Sequence, residues 1–485
     1  MKIDNRKIYV DLNQMKVVKS CLILSSLIVG MFLSMDGFSQ SFQPSVLPEQ
    51  YTHEKKLPNG LRVIVREDHR SPTVAHMIWY KAGSVDEYNG TTGVAHVLEH
   101  MMFKGTKSLG PGEFSKKVAG LGGRENAFTS YDYTAYFQQI GKQYLPQMME
   151  LEADRMQNLN LSEDEFKKEI QVIMEERRLR TDDQASSLLY EQLMSTAFNS
   201  APNRTPVIGW MADLQNMNYL DARDWYQKWY APSNAILIVV GDVDPNEIFK
   251  LAEQTYGKVT AKVVPDRKKQ TEPVQVGQRR FSVKAPAENT IIMMGWKAPK
   301  ILNNQFEDDE PFALTVLSAI LDGNQNTRLN RVLVKNKKLL QGVGASYDAV
   351  SRGEQLFIIS ADLLPGKKIE NIEIEIKKIL TEVAQKGVTE AELKRVKIAV
   401  TASQIYKRDS VFGQAMEIGS NEISGIPWKD LDKANEKIQN VTSEQIQAVV
   451  KKYLIDDHLT VGILDPQSID PKTQEANAKA AAHLK

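Results

Sequence analysis

Cysteine is almost missing from this chain: 485 residues contain one, Cys21. An intrachain disulfide is therefore excluded. A mature chain that loses its N-terminus also has no cysteine nucleophile and no thiolate metal ligand. Histidine is scarce, with seven copies, so any metal centre must be assembled from a few His, Asp and Glu side chains. An excess of one charge is missing too: 61 Lys plus Arg face 61 Asp plus Glu. A zero balance argues against a nucleic-acid binder, which needs a basic footprint. The basic run KNKK at 335–338 has no aromatic interleaving and reads as a solvated turn. The glycine-rich GLGG at 120–123 is followed by neither Lys-Ser nor Lys-Thr, so it reads as a turn and not a phosphate loop. Mean hydropathy of −0.37 excludes a polytopic membrane protein.

A long membrane-spanning run is also absent. The most apolar stretch, CLILSSLIVGMFLSM at 21–35, falls short of the roughly 20 residues that cross a bilayer. Lys16 and Lys19 precede it, and Asp36, Gly37 and Ser39 follow it. That order is expected of a secretory signal over residues 1–40, cleaved near Gln40, with Met15 as an alternative start. Cys21 opens the run instead of closing it, which argues against a lipid-modified N-terminus. The expected setting is a bacterial periplasm or the exterior. An uncleaved anchor is the lesser alternative, and membrane contact is expected only through this segment.

What remains is ordinary globular material, 42% hydrophobic and 25% charged, enough for more than one core. It reads as one unit used twice. TVAHMIWYKAGS at 73–84 resembles TIIMMGWKAPK at 290–300, and KWYAPSNAILIVVGDVDP at 228–245 resembles KKYLIDDHLTVGILDP at 451–466. Nearly one offset separates Trp79 from Trp296 and Tyr230 from Tyr453, the mark of a duplication. A polar stretch at 266–280 is the expected linker between an N-terminal domain at 41–265 and a C-terminal one at 281–485. LRVIVRED at 61–68 alternates as a strand after the turn PNG, and ILIVVG at 236–241 suits a strand covered on both faces. LSEDEFKKEIQVIMEERRLR at 161–180 predicts a helix with Ser162 as N-cap and Glu165 completing a capping box. IENIEIEIKKILTEVAQKG at 369–387 predicts another, closed by Gly387. Strands and helices without regular crossover alternation predict an α+β fold in each half.

The chemistry concentrates in GVAHVLEHMMFKGT at 93–106. On a helix His96 and His100 project from one face one turn apart, the separation at which two imidazoles grip one cation. Glu99 stands beside them, placed to take a proton from water. The flanking Val94, Ala95, Val97, Leu98, Met101, Met102 and Phe103 are apolar, so the helix is expected to be largely buried. Unpaired His and Glu there would cost several kcal/mol, and a shared cation removes much of that cost. Catalytic zinc usually has a third protein ligand. The helix at 161–180 offers Glu163, Glu165, Glu169, Glu175 and Glu176, and composition alone does not choose among them.

Five segments together resemble the pitrilysin, or insulinase-like, family of zinc metallopeptidases: LPNGLRVIVRED, HVLEHMMFKGT, GGRENAFTSYDYTAYF at 122–137, EIQVIMEERRLRTDD at 169–183, and APSNAILIVVGDVDP. The likeness is strongest to the roughly 50-kDa bacterial branch related to mitochondrial processing peptidase subunits. It implies two tandem α+β domains, each a mostly antiparallel sheet with helices on one face, forming half of a clamshell that limits substrate size. In that family the third ligand follows the second histidine by about 75 residues, which lands on Glu176. The resemblance thus implies Zn²⁺ on His96, His100 and Glu176, Glu99 as the general base, and Glu169 as a supporting carboxylate. It also implies a sheet edge at Asn126, Ala127 and Phe128 that binds peptide substrate as an added strand. By ligand type alone manganese or cobalt could substitute for zinc.

One departure stands out. Active members usually carry, in the metal-free second domain, an Arg and a Tyr seven residues apart that reach the zinc site. In RLNRVLVKNKKLLQGV at 328–343 those places fall on Val334 and Gln341, and the nearby Arg331 and Tyr347 have the wrong spacing. The expectation is therefore a heterodimer whose partner, a homologous chain, carries the pair and lacks the zinc motif. A homodimer working without the pair is the alternative. A non-catalytic scaffold is the competing class, disfavoured because all four polar groups of the site are kept.

Overall fold

In the computed structural model, residues 51–301, 306–323 and 326–468 are described. The expected signal segment and His483 lie outside them. Among the described residues eleven strands form two sheets: β1 Thr52–Lys56, β2 Arg62–Glu67, β3 Thr73–Tyr80, β4 Arg124–Thr129, β5 Thr134–Gly141 and β6 Ala235–Gly241 in the first, then β7 Arg279–Pro286, β8 Ile291–Ala298, β9 Leu340–Ser346, β10 Gln355–Leu363 and β11 Leu459–Gln467 in the second. Pro58, Asn59 and Gly60 turn β1 into β2, with Gly60 at φ 96 and no room for a Cβ against Ser233.

The duplication is written in the strand order. The first sheet runs β1-β2-β6-β3-β5-β4 and the second β7-β11-β8-β10-β9. Once β1 is set aside the two orders match position for position. In each, the first of these pairs is parallel (β2 with β6, β7 with β11) and the other pairs are antiparallel. Trp79 pairs with Ile236 and Trp296 with Leu459, both indoles fully buried at equivalent places.

The uninterrupted apolar run of β6 has a tertiary cause. Leu237 and Val239 point into a core shared with Val94, Val97, Leu98 and Met101. Ile236, Ile238 and Val240 point the other way, into a core shared with Val411, Ala415 and Ile418. Those three belong to the helix Val411–Ser424, which comes from the second half. The exchange is mutual: the helix Ala185–Ala197 of the first half lays Leu189 and Leu193 on the second sheet. Each sheet thus keeps its own helices on one face and receives a helix from the other half on the opposite face. Each buried Leu or Ile contributes about 1.5–3 kcal/mol by leaving water, so these two helices hold the halves together.

Residues 260–278 form no helix or strand. Glu272 pins this segment: its carboxylate accepts the N–H groups of Asn199, Ser200 and Ala201 and pairs with Lys297 at 2.6 Å. The predicted helix at 161–180 is α-helical over Glu163–Arg177 and continues as a π-helical turn over Arg178–Asp182. Ser162 caps it, accepting from the Glu165 N–H at 3.2 Å. The expected capping box is only half made, because the Glu165 carboxylate pairs with Lys168 instead of turning back to the cap. The helix Ile369–Lys386 ends at Gly387, as its sequence predicts. No helix among the described residues is long and apolar enough to cross a membrane.

Candidate metal and catalytic site

The motif helix, Val94–Met101, starts from Gly93 at φ 87. A Cβ there would strike the Ile208 carbonyl at 2.5 Å, so only glycine lets the loop and the helix start approach. The buried Glu87 carboxylate closes the helix N-terminus, accepting the N–H groups of Gly93 at 2.8 Å and Ala95 at 2.9 Å. Burial pushes the Glu87 carboxyl up to about 8. The apolar side chains of the motif helix pack into the core of the first half. That packing aims His96 and His100 at the helix Glu163–Arg177.

On that second helix the five glutamates part company. Glu163 pairs with Lys167, Glu165 with Lys168, and Glu175 with Arg178, all on the outer surface. Glu176 and Glu169, two turns apart, turn to the histidines. Glu176 Oε2 lies 3.3 Å from His100 Nε2 and 3.8 Å from His96 Nε2. One ligand atom from each of His96, His100 and Glu176 lies within 4.8 Å of the others. A tetrahedral cation with bonds of about 2.0–2.1 Å needs ligand atoms about 3.3–3.4 Å apart, so the set fits such an ion with small adjustment.

The surroundings fit the same donor set. His100 Nδ1–H donates to Glu169 Oε1 at 2.8 Å, which leaves the Nε2 lone pair facing Glu176. Lys104 holds the other Glu169 oxygen at 2.5 Å. Arg180 takes Glu176 Oε1 at 2.6 Å, so Oε2 is the oxygen turned to the imidazoles. His96 Nδ1 is buried and has no hydrogen-bond partner among the described residues. Without a cation the site is an unbalanced cluster. Burial and the neighbouring His100 push His96 down to about 3. Burial opposes charge on His100, but its bonds to Glu169 and Glu176 win and raise it to about 9. Burial likewise opposes charge on Glu176, yet His100, His96 and Arg180 hold it down to about 2.

Glu99 lies apart from this ligand triangle. Its Oε2 accepts the Thr129 hydroxyl at 2.6 Å, and burial raises its carboxyl above the ordinary range. Thr129 ends β4, the edge strand of the first sheet. On β4, Asn126 is exposed, Ala127 is buried toward the helix layer, and Phe128 turns to the far face against Trp79 and Tyr133. Asn126 Oδ1 accepts its neighbour's Ala127 N–H at 2.9 Å.

Neither place expected for the Arg/Tyr pair offers a cation or a phenol. Val334 is half-buried against the second core, and Gln341 on β9 accepts from Asn289 at 2.8 Å. Tyr347 donates its hydroxyl to the Pro299 carbonyl and lies against Phe357. Arg331 is exposed.

Sequence reasoning overlooked Lys104, Arg180 and Thr129 at the site. Arg180 was readable, since it lies four residues after Glu176 on a helical path. Thr129 was half readable: strand alternation puts it on the same side as Ala127, but nothing local says that Glu99 waits there.

Comparisons with known proteins identify the family. The model for the insulinase family, peptidase family M16, matches residues 62–209, and that for the peptidase M16 inactive domain matches residues 216–400. The zinc protease PqqE of Helicobacter pylori is 33% identical over 465 residues, covering 93% of this chain and 99% of that protein. The uncharacterized zinc protease YmxG of Bacillus subtilis is 23% identical over 413 residues, covering 85% of this chain and 98% of that protein. A crystal structure of a protease from Helicobacter pylori superposes with a TM-score of 0.81 at 31% identity, covering 86% of this chain and 99% of the other. A putative M16-like peptidase from Alicyclobacillus acidocaldarius, at 21% identity and a TM-score of 0.76, shares the fold, with 86% of this chain and 98% of that one covered. With two paired α+β halves and a relative 33% identical over 93% of its length, the chain belongs to peptidase family M16.

Proposed function

We propose that this protein is an exported zinc endopeptidase for peptides or unfolded polypeptide segments. The observation that carries the reading is the convergence of His96, His100 and Glu176 on one point, with Glu99 beside it on the same helix turn. A zinc ion held by those three side chains supplies Lewis acidity, acidifying water and polarising the scissile carbonyl. Glu99 accepts the proton of the attacking water and delivers it to the leaving amine. Glu169 keeps His100 in the tautomer that presents Nε2. The β4 edge at Asn126, Ala127 and Phe128 receives the substrate as an added strand, once Asn126 releases the Ala127 N–H.

Val334 and Gln341 leave the chain without the second domain's donors. The reading is therefore of a catalytic subunit whose homologous partner supplies an Arg and a Tyr. A transition-state donor is worth roughly 3–4 kcal/mol, so the chain alone should be slow. Residues 1–40 direct export to the periplasm or the exterior in this reading.

The test is hydrolysis of a quenched mixed-sequence peptide by the mature chain, with and without chelator. Chelator-sensitive cleavage supports a self-sufficient zinc peptidase. A folded, metal-loaded chain that is inert alone and gains activity from a co-purifying homologue supports the two-chain form. Cleavage that survives complete metal removal would sink both.

A further inference from the structure

We propose that Thr129 is a positioning residue for Glu99, and that it couples the open edge of the first sheet to the group that carries the proton. The inference rests on the reading of Glu99 as general base. Thr129 Oγ1 donates to Glu99 Oε2 at 2.6 Å, the length of a charge-assisted O–H···O bond. A hydroxyl has one proton to give, and the alternative acceptor, Thr134 Oγ1, is at 3.5 Å. Thr134 spends its own proton on the Ala82 carbonyl at 2.9 Å. No other hydrogen bond to the Glu99 carboxylate forms among the described residues. A glutamate on a helix has three side-chain torsions to restrain. With Oε2 tied, the carboxylate is held in one place and Oε1 stays available to a water.

The backbone of the same residue faces a different task. Ser130 N–H donates to the Tyr133 carbonyl at 2.8 Å, which sets the phase of the β4–β5 ladder. By the antiparallel alternation, residues 128, 126 and 124 bond to β5, while the main chains of Glu125, Ala127 and Thr129 face away from it. Because β4 has no neighbouring strand on that side among the described residues, a peptide added to the sheet pairs with those outward groups. One residue therefore meets the docked strand with its backbone and Glu99 with its side chain. Seating of the substrate and placement of the base become parts of one rigid strand end.

The test compares Thr129→Val, Thr129→Ser and Glu99→Gln in the zinc-loaded full chain, assayed together with the co-purifying homologue wherever the unchanged chain is inert alone. T129V keeps size and strand propensity but loses the donor. It should retain its zinc and a KM within about twofold, while kcat falls on the order of tenfold, a part of the gain expected from a placed acid–base group. T129S should recover most of that loss. A T129V enzyme with full kcat, or a T129S enzyme as slow as T129V, overturns the proposal. Loss of zinc or of thermal stability in both variants overturns it as well, because Thr129 would then be structural. A crystal structure of zinc-loaded T129V needs no turnover: Glu99 should occupy more than one position, and a single unchanged position also overturns the proposal. E99Q separates the two ideas, since near-full activity in E99Q rejects the general-base reading itself.

Discussion

His100 Nδ1 donates to Glu169 Oε1 at 2.8 Å, a bond that spans the two helices of the site. It decides which imidazole nitrogen is left to face Glu176, and so turns a surface-type glutamate into part of the site. Removing that carboxylate should loosen the metal without touching a ligand. Glu169→Gln is expected to weaken zinc binding by about 10–100-fold, measured by competition with a chromophoric chelator. Unchanged affinity would show that His100 is oriented by packing alone.

Glu99→Gln separates metal binding from hydrolysis. Glu99 is not among the three converging ligands, so zinc content by elemental analysis should stay at the level of the unchanged chain. The turnover of the quenched peptide should fall by roughly 10²–10⁴.

The two halves can be probed where they touch. Gly419, on the helix lent by the second half, lies directly against the Trp79 indole, where a Cβ would collide. Gly419→Leu should lower stability by about 1–3 kcal/mol, seen as an earlier midpoint in urea. A neutral result would mean that this helix slides without cost, contrary to its buried Val411, Ala415 and Ile418.

The Glu392–Arg328 pair predicts a pH signature. Arg328 grips both carboxylate oxygens at 2.7 Å and the Thr389 N–H adds a third bond. The Arg328 guanidinium holds the Glu392 carboxyl down to about 2, against an ordinary 4.5. A carboxyl lowered on folding contributes stability that is complete above about pH 4.5 and is lost as pH falls toward 2. The difference in unfolding free energy between the unchanged chain and Glu392→Gln should be about 1.5–3 kcal/mol at pH 6 and shrink steadily below pH 4.5. A gap that stays constant with pH would rule out the charge as its origin.

Much of this protein is legible along the chain. The duplication shows in two pairs of similar strands, and the shared strand order of the two sheets gives it a structural form. The run ILIVVG reads as a strand with two covered faces, but its sequence cannot say that the second cover is Val411–Ser424, some 170 residues later. Glu163, Glu165, Glu169, Glu175 and Glu176 read as near equals, because helical wheels show a face and not what stands opposite it. The capping box at Ser162 was half right, since Lys168 competes for Glu165 through a local ion pair.

The sequence by itself determined the local half of the site. His96, Glu99 and His100 fall on one face of one helix because 3.6 residues make a turn, and no tertiary contact is needed for that. Only the tertiary structure decided the rest: Glu176 facing the imidazoles, Glu169 behind His100, and Thr129 holding Glu99. These groups meet because apolar residues of the motif helix and the glutamate helix bury into one core, and the sheet edge is set by the same packing. Spacing within a helix is a covalent and hydrogen-bonded fact, whereas which residues meet across helices depends on how their buried faces fit.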